Sequence, residues 1–250
     1  NPSDSADNLI KEALRSPLGT EKLCNIVERS DTVSIVVDDY TRPCPNEILL
    51  KQILEELKSA GVSDSNIKII IATGTHTPPD YEKIKDIVGD KIARNYNVIS
   101  NDSENSDYVS IGKSKFGNEL FVLKDYIEAD IKIILGDIEY HYFAGYGGTR
   151  KSILPGISSK ETIQNNHSML FEKNSETGNL KTNKISLEMF EALYKAGCDF
   201  CLNVVLNSDK KIVGAWSGKP DLVMAEGVKL IDSMYECVLS EPPDLIIVAA

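Results

Sequence analysis

The chain has 250 residues, of which 42 % are hydrophobic and 26 % charged, and its 27 basic against 38 acidic residues give a formal charge of −11. That is an ordinary globular composition with enough apolar material for a sizeable core, one large domain or one and a half. The acidic balance opposes broad adhesion to nucleic acid or to an anionic membrane, so an anionic ligand has to be caught by a local group of cations. Apolar runs such as Ile69-Ile70-Ile71-Ala72 are strand-sized, far short of the roughly 20 residues that span a bilayer. Five cysteines (Cys24, Cys44, Cys198, Cys201, Cys237) are scattered through a chain that does not need disulfides, which predicts a reducing, cytoplasmic location.

In chain order, residues 32–37 predict a first strand and 47–60 a helix, with Ile48, Leu49, Ile53, Leu54 and Leu57 on one stripe and Gly61 stopping it. A strand over 67–72, short helices over 81–88 and 90–95, strand pieces at 109–111 and 120–123 and a buried strand over 131–135 follow. A long Gly-rich loop runs from 136 to 156. Beyond it come a helix over 158–171, a polar loop at 175–183, a helix over 187–196, a hairpin of 201–206 with 211–215, and a helix over 220–234 that opens on Pro220. Short β-branched runs alternating with amphipathic stretches predict an α/β fold, a mostly parallel sheet with helices on both faces in the Rossmann manner. Residues 1–240 are expected to form one domain, and 241–250, which read as a strand from 244 on, to begin a second, truncated α/β domain. The first residue, Asn1, is not Met, and the chain is expected to be a piece of a longer protein.

The three histidines all lie in runs with reactive or glycine-rich neighbours: Gly74-Thr75-His76, His141-Tyr-Phe-Ala-Gly145 and Asn165-Asn166-His167. Asp39 with Arg42, His76 and His141 each follow a predicted buried strand, and the carboxyl edge of such strands is where open α/β sheets bind ligands, so these loops are expected to meet in one crevice. Arg42 offers a planar fork for a carboxylate or phosphate. Its alternative role is to neutralise the adjacent Asp38-Asp39 pair. A phosphatase-like Asp-x-Asp-x-Thr loop is excluded, because Val37 stands where its nucleophile belongs. Residues 145–152 approach a phosphate-binding P-loop but carry Arg150 in place of its second glycine, which makes a phosphoryl-transfer protein an alternative. Arg150 and Lys151 together suit an anionic nucleotide, and a lysine there can also serve as nucleophile. Cys198-Asp-Phe-Cys201 has metal spacing with nothing to complete a zinc site, and reads as structural.

The motifs Asp39-Tyr-Thr-Arg-Pro43, Thr73-Gly-Thr-His76, the run from His141 to Lys151-Ser-Ile-Leu-Pro-Gly156, and Asn166-His167 closely resemble the nickel-pincer-nucleotide lactate racemase family, over roughly residues 10 to 250. The resemblance implies a two-domain enzyme that interconverts L- and D-lactate, or the enantiomers of another 2-hydroxy acid, by hydride transfer to and from a pyridinium mononucleotide whose thiocarboxyl arms grip nickel. It further implies that Lys151 tethers the cofactor, that His167 is the protein's one nickel ligand, that His76 and His141 are the acid–base pair, and that Asp39, Tyr40, Thr41 and Arg42 line the cofactor. Accessory proteins that make the cofactor are implied partners. A single imidazole completing a square-planar nickel centre accords with that metal's preferences.

Overall fold

The computed structural model describes residues 6–239, 241 and 243–247. In chain order the elements are α1 (Ala6–Arg15), α2 (Leu23–Ile26), β1 (Val33–Asp38), α3 (Asn46–Ser59), β2 (Ile67–Ala72), α4 (Tyr81–Val88), α5 (Asp90–Asn95), β3 (Asn97–Ser100), β4 (Tyr108–Lys113), β5 (Glu119–Leu123), α6 (Lys124–Ile127), β6 (Ile131–Asp137), β7 (Tyr140–His141), β8 (Gly145–Tyr146), α7 (Lys160–His167), α8 (Lys184–Ala196), β9 (Phe200–Leu206), β10 (Ile212–Gly218) and α9 (Pro220–Tyr235). Six strands form one sheet in the order β10-β9-β6-β1-β2-β3. All neighbouring pairs are parallel except β9 with β10.

Strand residues alternate between two cores because successive side chains leave opposite faces of a sheet. Val33, Ile35 and Val37 of β1, with Ile69 and Ile71 of β2, point into one core, closed by Leu49, Leu50, Ile53, Leu54 and Leu57 of α3 and by Ile10 of α1. Val36, Ile70 and Ile134 point the other way, onto Ile185, Met189, Ala192 and Leu193 of α8 and Val223 of α9. Each of these large aliphatic side chains stabilises the fold by about 1.5–3 kcal/mol. Apolar cores on both faces explain why β1, β2 and β6 read as continuous apolar runs and not as alternating ones.

The expected parallel α/β sheet is therefore present, and the elements over 67–72, 81–88 and 90–95 have the expected bounds. Four elements were not anticipated: α1, whose Ile10, Ala13 and Leu14 carry the helical spacing, the short α2 and α6, and the edge strand β3, whose largely open burial carries little apolar signal. The strand pieces near 109 and 120 pair with each other as a separate antiparallel ribbon, with a register shift between Ser110 and Lys113. The helix expected over 158–171 is split into α7 and a 3₁₀ turn, Ser168–Phe171. The Gly-rich stretch is not a plain loop: it holds the β7–β8 hairpin and a 3₁₀ turn, Thr149–Ser152. Of the terminal strand expected over 244–250, residues 244–247 form no strand and 248–250 lie outside the described residues. Both Cys198 and Cys201 are free, Cys201 buried within β9, which accords with a structural role. None of the described helices is long and apolar enough to cross a membrane.

Close packing locks the end of the Gly-rich stretch onto the sheet. The Gly156 carbonyl accepts a hydrogen bond from the Gly74 N–H at 2.9 Å, and a Cβ on Gly156 would lie 2.2 Å from the Ser152 carbonyl oxygen and 2.8 Å from the Ala72 Cβ. Gly156→Ala is expected to destabilise the protein by about 1–3 kcal/mol, the usual cost of overpacking, and urea denaturation measures it.

Candidate active site

From β1 the chain winds outward through β2 to β3 and then returns to the far side of β1 to lay down β6, so the connections after β1 and β6 run apart and leave a crevice at the carboxyl edge. A cavity of about 470 Å³ opens there. Asp39, Thr41 and Arg42 reach it from the loop after β1, His76 from the loop after β2, and His141 from β7; Lys151 and His167 come from the 3₁₀ turn and the last residue of α7. Seven of the eight residues singled out in the sequence thus face one cavity. The eighth, Tyr40, does not line it: its hydroxyl donates to the Thr77 carbonyl at 3.4 Å, and the Lys83 ammonium lies 5.1 Å from its ring centre.

Asp39 is 3 % exposed, and both its carboxylate oxygens are engaged. Oδ1 accepts from the Thr41 N–H at 3.1 Å and the Thr41 hydroxyl at 2.6 Å, while Oδ2 lies 2.6 Å from His76 Nδ1. A fixed carboxylate on Nδ1 keeps the proton there and leaves Nε2 as the basic atom. His141 is set differently. Its Nδ1 accepts from the Ala144 N–H at 3.2 Å, and its ring stacks on Tyr142 with centres 5.0 Å apart and meets the edge of Phe143 at 4.5 Å. Burial first, and then the charges of Lys151, Arg42 and Arg150, lower its pKa to about 3, so the ring is neutral across the physiological range.

A left-handed backbone at Gly148 (φ 78°) delivers Lys151: a Cβ at Gly148 would come within 2.9 Å of the Asp137 carbonyl oxygen and of Asn203 Oδ1, the oxygen that accepts the Thr149 N–H at 3.0 Å. The Lys151 amine lies 5.9 Å from the Phe143 ring centre. Burial, then the Arg42 and Arg150 charges, lower its pKa to about 7, against an opposing pull from Asp38 and Glu139. About half the amine is therefore free base, and nucleophilic, at neutral pH. His167 packs edge-on to the same Phe143 ring at 5.1 Å. Its buried Nδ1 has no hydrogen-bond partner of good geometry, although the Ile163 carbonyl one turn back is close enough to oppose the fall in its pKa to about 4, a fall caused by burial and the Lys151 charge.

Four carboxylates line the site, Asp38, Asp39, Asp137 and Glu139, and two of them, Asp137 and Glu139, escaped the sequence reading. Glu139 binds Arg42 (Oε1 to Nη1, 2.8 Å), while the guanidinium charge also acts on Asp38, as the sequence suggested; an acid two residues before His141 in a post-strand loop was the available signal for Glu139. Asp38 and Asp137 line the cavity, and Cys44 lies against them, the three possible ligating atoms all within 4.8 Å of one another. Burial raises Asp38 to about 6 against hydrogen bonds from Asp137 and the charge of Arg42, while burial and the charge of Asp38 push Asp137 upward. Arg150 does not serve the cavity as expected. It is fully buried and donates to the Ala144 and Tyr146 carbonyls at 2.8 and 3.0 Å and to the Ser186 hydroxyl at 3.1 Å. Residues 149–152 form a single 3₁₀ turn, and the next helix starts only at Lys160, so the strand–loop–helix cradle of a P-loop is not formed.

The Lys151 shift carries a sign. The unfolded chain keeps this proton up to about pH 10.5 and the folded chain only up to about 7, so between these values acidification favours the unfolded state and stability rises with pH. Lys151→Met, which removes the buried ammonium, is expected to stabilise the fold by up to about 4 kcal/mol at pH 7 and by about 1 kcal/mol at pH 10. Urea denaturation at the two pH values checks both the gain and its decline.

A family model described as the lactate racemase N-terminal domain matches residues 1–178. The lactate racemase of Thermoanaerobacterium thermosaccharolyticum is 37 % identical over 246 residues, 97 % of this chain and 57 % of that protein. The lactate racemase of Lactiplantibacillus plantarum is 35 % identical over 233 residues, 92 % of this chain and 55 % of its own length. The chain thus spans a little over half the length of these curated relatives. The structure of the Thermoanaerobacterium lactate racemase apoprotein superposes with a TM-score of 0.86 at 36 % identity, covering 90 % of this chain and 55 % of that one. A Thermotoga maritima protein shares the fold at 18 % identity, with a TM-score of 0.75. With its post-strand loops gathered on one cavity and this likeness along nearly its whole length, the chain belongs to the lactate racemase N-terminal domain family.

Proposed function

We propose that this chain is the cofactor-tethering and acid–base domain of a cytoplasmic racemase that interconverts the two enantiomers of a 2-hydroxy acid, with lactate the favoured substrate. It is the first of two α/β domains, and the second completes the substrate contacts. The cofactor is a nickel-pincer nucleotide supplied by separate accessory proteins. One observation carries the reading: the Lys151 amine and the His167 imidazole, whose buried Nδ1 has no hydrogen-bond partner of good geometry among the described residues, share an aromatic wall, Phe143, with the His141 imidazole that lines the same cavity.

The residues present suit that group. The Lys151 amine has the free-base population that acylation by a thiocarboxyl arm requires, and His167 stays neutral and so able to ligate nickel. A cavity of about 470 Å³ is within the range of small-molecule and cofactor sites. When bound, the group supplies a hydride acceptor and donor, which avoids a carbanion beside the substrate carboxylate. The chain's own residues do the rest. His76, held by Asp39, takes the hydroxyl proton at Nε2 of one enantiomer; His141 on the opposite loop serves the other, since inversion needs a proton-transfer group for each hand. Arg42, braced by Glu139, pairs with the substrate carboxylate.

In the full-length, cofactor-loaded protein, His76→Ala and His141→Ala are each expected to lower interconversion by about 10²–10⁴-fold with nickel still bound, whereas Lys151→Ala loses the cofactor altogether. Optical rotation of single-enantiomer hydroxy acids and metal analysis measure the two effects. Full activity in Lys151→Ala would refute the proposal, and the panel of acids identifies the preferred substrate.

A further inference from the structure

A buried carboxylate behind the cavity has no part in the chemistry above. Glu188 of α8 is 0 % exposed, and its hydrogen-bond partners are neutral. The Ser114 hydroxyl donates to Oε1 at 2.6 Å, and the side-chain amides of Asn118 and Asn166 donate to Oε2 at 3.2 and 2.8 Å. The nearest lysine in sequence, Lys184, pairs with Glu172 instead. Acidic side chains are rarely fully buried without a cationic partner, so its presence calls for a role that an apolar side chain could not fill.

That role follows from what the three donors belong to. Asn166 is the penultimate residue of α7, beside His167. Asn118 sits in the turn between β4 and β5 and also donates to the Thr162 carbonyl of α7 at 3.0 Å, while its own Oδ1 accepts from Asn165 of α7 at 3.1 Å. Helix α7 is two turns long, and Ile163 is its one buried apolar side chain. An apolar anchor is non-directional, so the rotation and register of α7 are fixed by hydrogen bonds: those of Thr162 with Glu119 and Phe121 of β5 at 2.8 and 2.9 Å, that of Asn166 to the Ile185 carbonyl at 3.3 Å, and those that converge on Glu188 near the end that bears His167. A carboxylate suits the convergence because both its oxygens accept, whereas a glutamine leaves one acceptor oxygen and turns an amide NH2 toward the Ser114 hydroxyl.

We infer that Glu188 is a positioning residue that sets the rotation of α7 and thereby aims the His167 imidazole into the cavity. The inference rests on the reading of His167 as the metal ligand, but the orientation of the ring can be measured without metal.

The test uses ¹⁵N-imidazole spectra of the full-length protein, with the signals of the three histidines assigned by single substitutions. Glu188→Gln is expected to move both ring-nitrogen signals of His167 while those of His76 and His141 hold, and to weaken nickel retention by about 10–100-fold, the usual effect of losing an outer partner of a ligand, with the Lys151 adduct still present by mass. Ser114→Ala, which removes the donor to Glu188 Oε1 and makes no hydrogen bond to α7, is expected to move His167 in the same sense and carries the test if Glu188→Gln does not fold. Ser217→Ala, which removes a buried hydrogen bond of 2.8 Å to the Ala13 carbonyl far from α7, is expected to lower stability without moving His167. Unmoved His167 signals in both network variants, or an equal movement in Ser217→Ala, overturn the inference. If His167→Ala keeps its nickel, the metal-ligand reading fails, and the spectra still decide the positioning role.

Discussion

Exclusion of water from the edge of the sheet where the strand order reverses sets the protonation state of the basic groups buried there. Lys151, His141 and His167 are each driven toward the neutral form, with burial the largest cause in every case. The same desolvation raises Asp38 and Asp137, so acids and bases both move toward less charge, as they must where a charge costs more than a proton. Neutral amine and imidazole are the forms that acylation and metal ligation require. A wetter crevice would leave the lysine as an ammonium, able to attract an anion but unable to attack.

That dry edge depends on Arg150. Its guanidinium is the largest fully buried side chain and has no carboxylate partner; it is satisfied by two carbonyls of the β8 region and a serine hydroxyl of α8, and it lies 4.9 Å from the Phe190 ring centre. Burial lowers its pKa to about 9, yet it stays cationic at neutral pH. The residue thus serves twice. It ties the glycine-rich hairpin that bears His141 to the helical layer, and its charge helps to lower the pKa of the neighbouring Lys151. An uncharged side chain could provide the first service only.

Polar locks recur wherever an angle matters. Asp39 spends both oxygens on Thr41 and His76, Glu139 braces Arg42, and Tyr140 and Tyr146 both donate to Asp232 Oδ1, at 2.9 and 2.6 Å, fixing the β7–β8 hairpin to α9. Apolar packing holds the sheet and its helices together, where any snug fit suffices. Hydrogen bonds hold the pieces that must point in a particular direction.

The sequence by itself determined the α/β class, because fully apolar strands such as 67–72 and amphipathic helices such as 81–88 carry their periodicity locally, and it pointed Asp39, Arg42, His76 and His141 to one crevice, because they follow strand ends, whereas Lys151 and His167 came with the family resemblance. Weakly patterned pieces were not legible: β3 is an edge strand with little buried surface, and the break after α7 arises where its last turn tightens. Only the tertiary structure decided which way each side chain faces. Tyr40 turns from the cavity to Thr77, Arg150 turns inward although it adjoins Lys151, and Glu139, Asp38 and Asp137 enter the site. Facing depends on which carbonyls and donors lie within three ångströms, and those come from segments far apart in the chain. The low pKa of Lys151 has the same origin, since desolvation belongs to the folded surroundings of a residue and not to the residue.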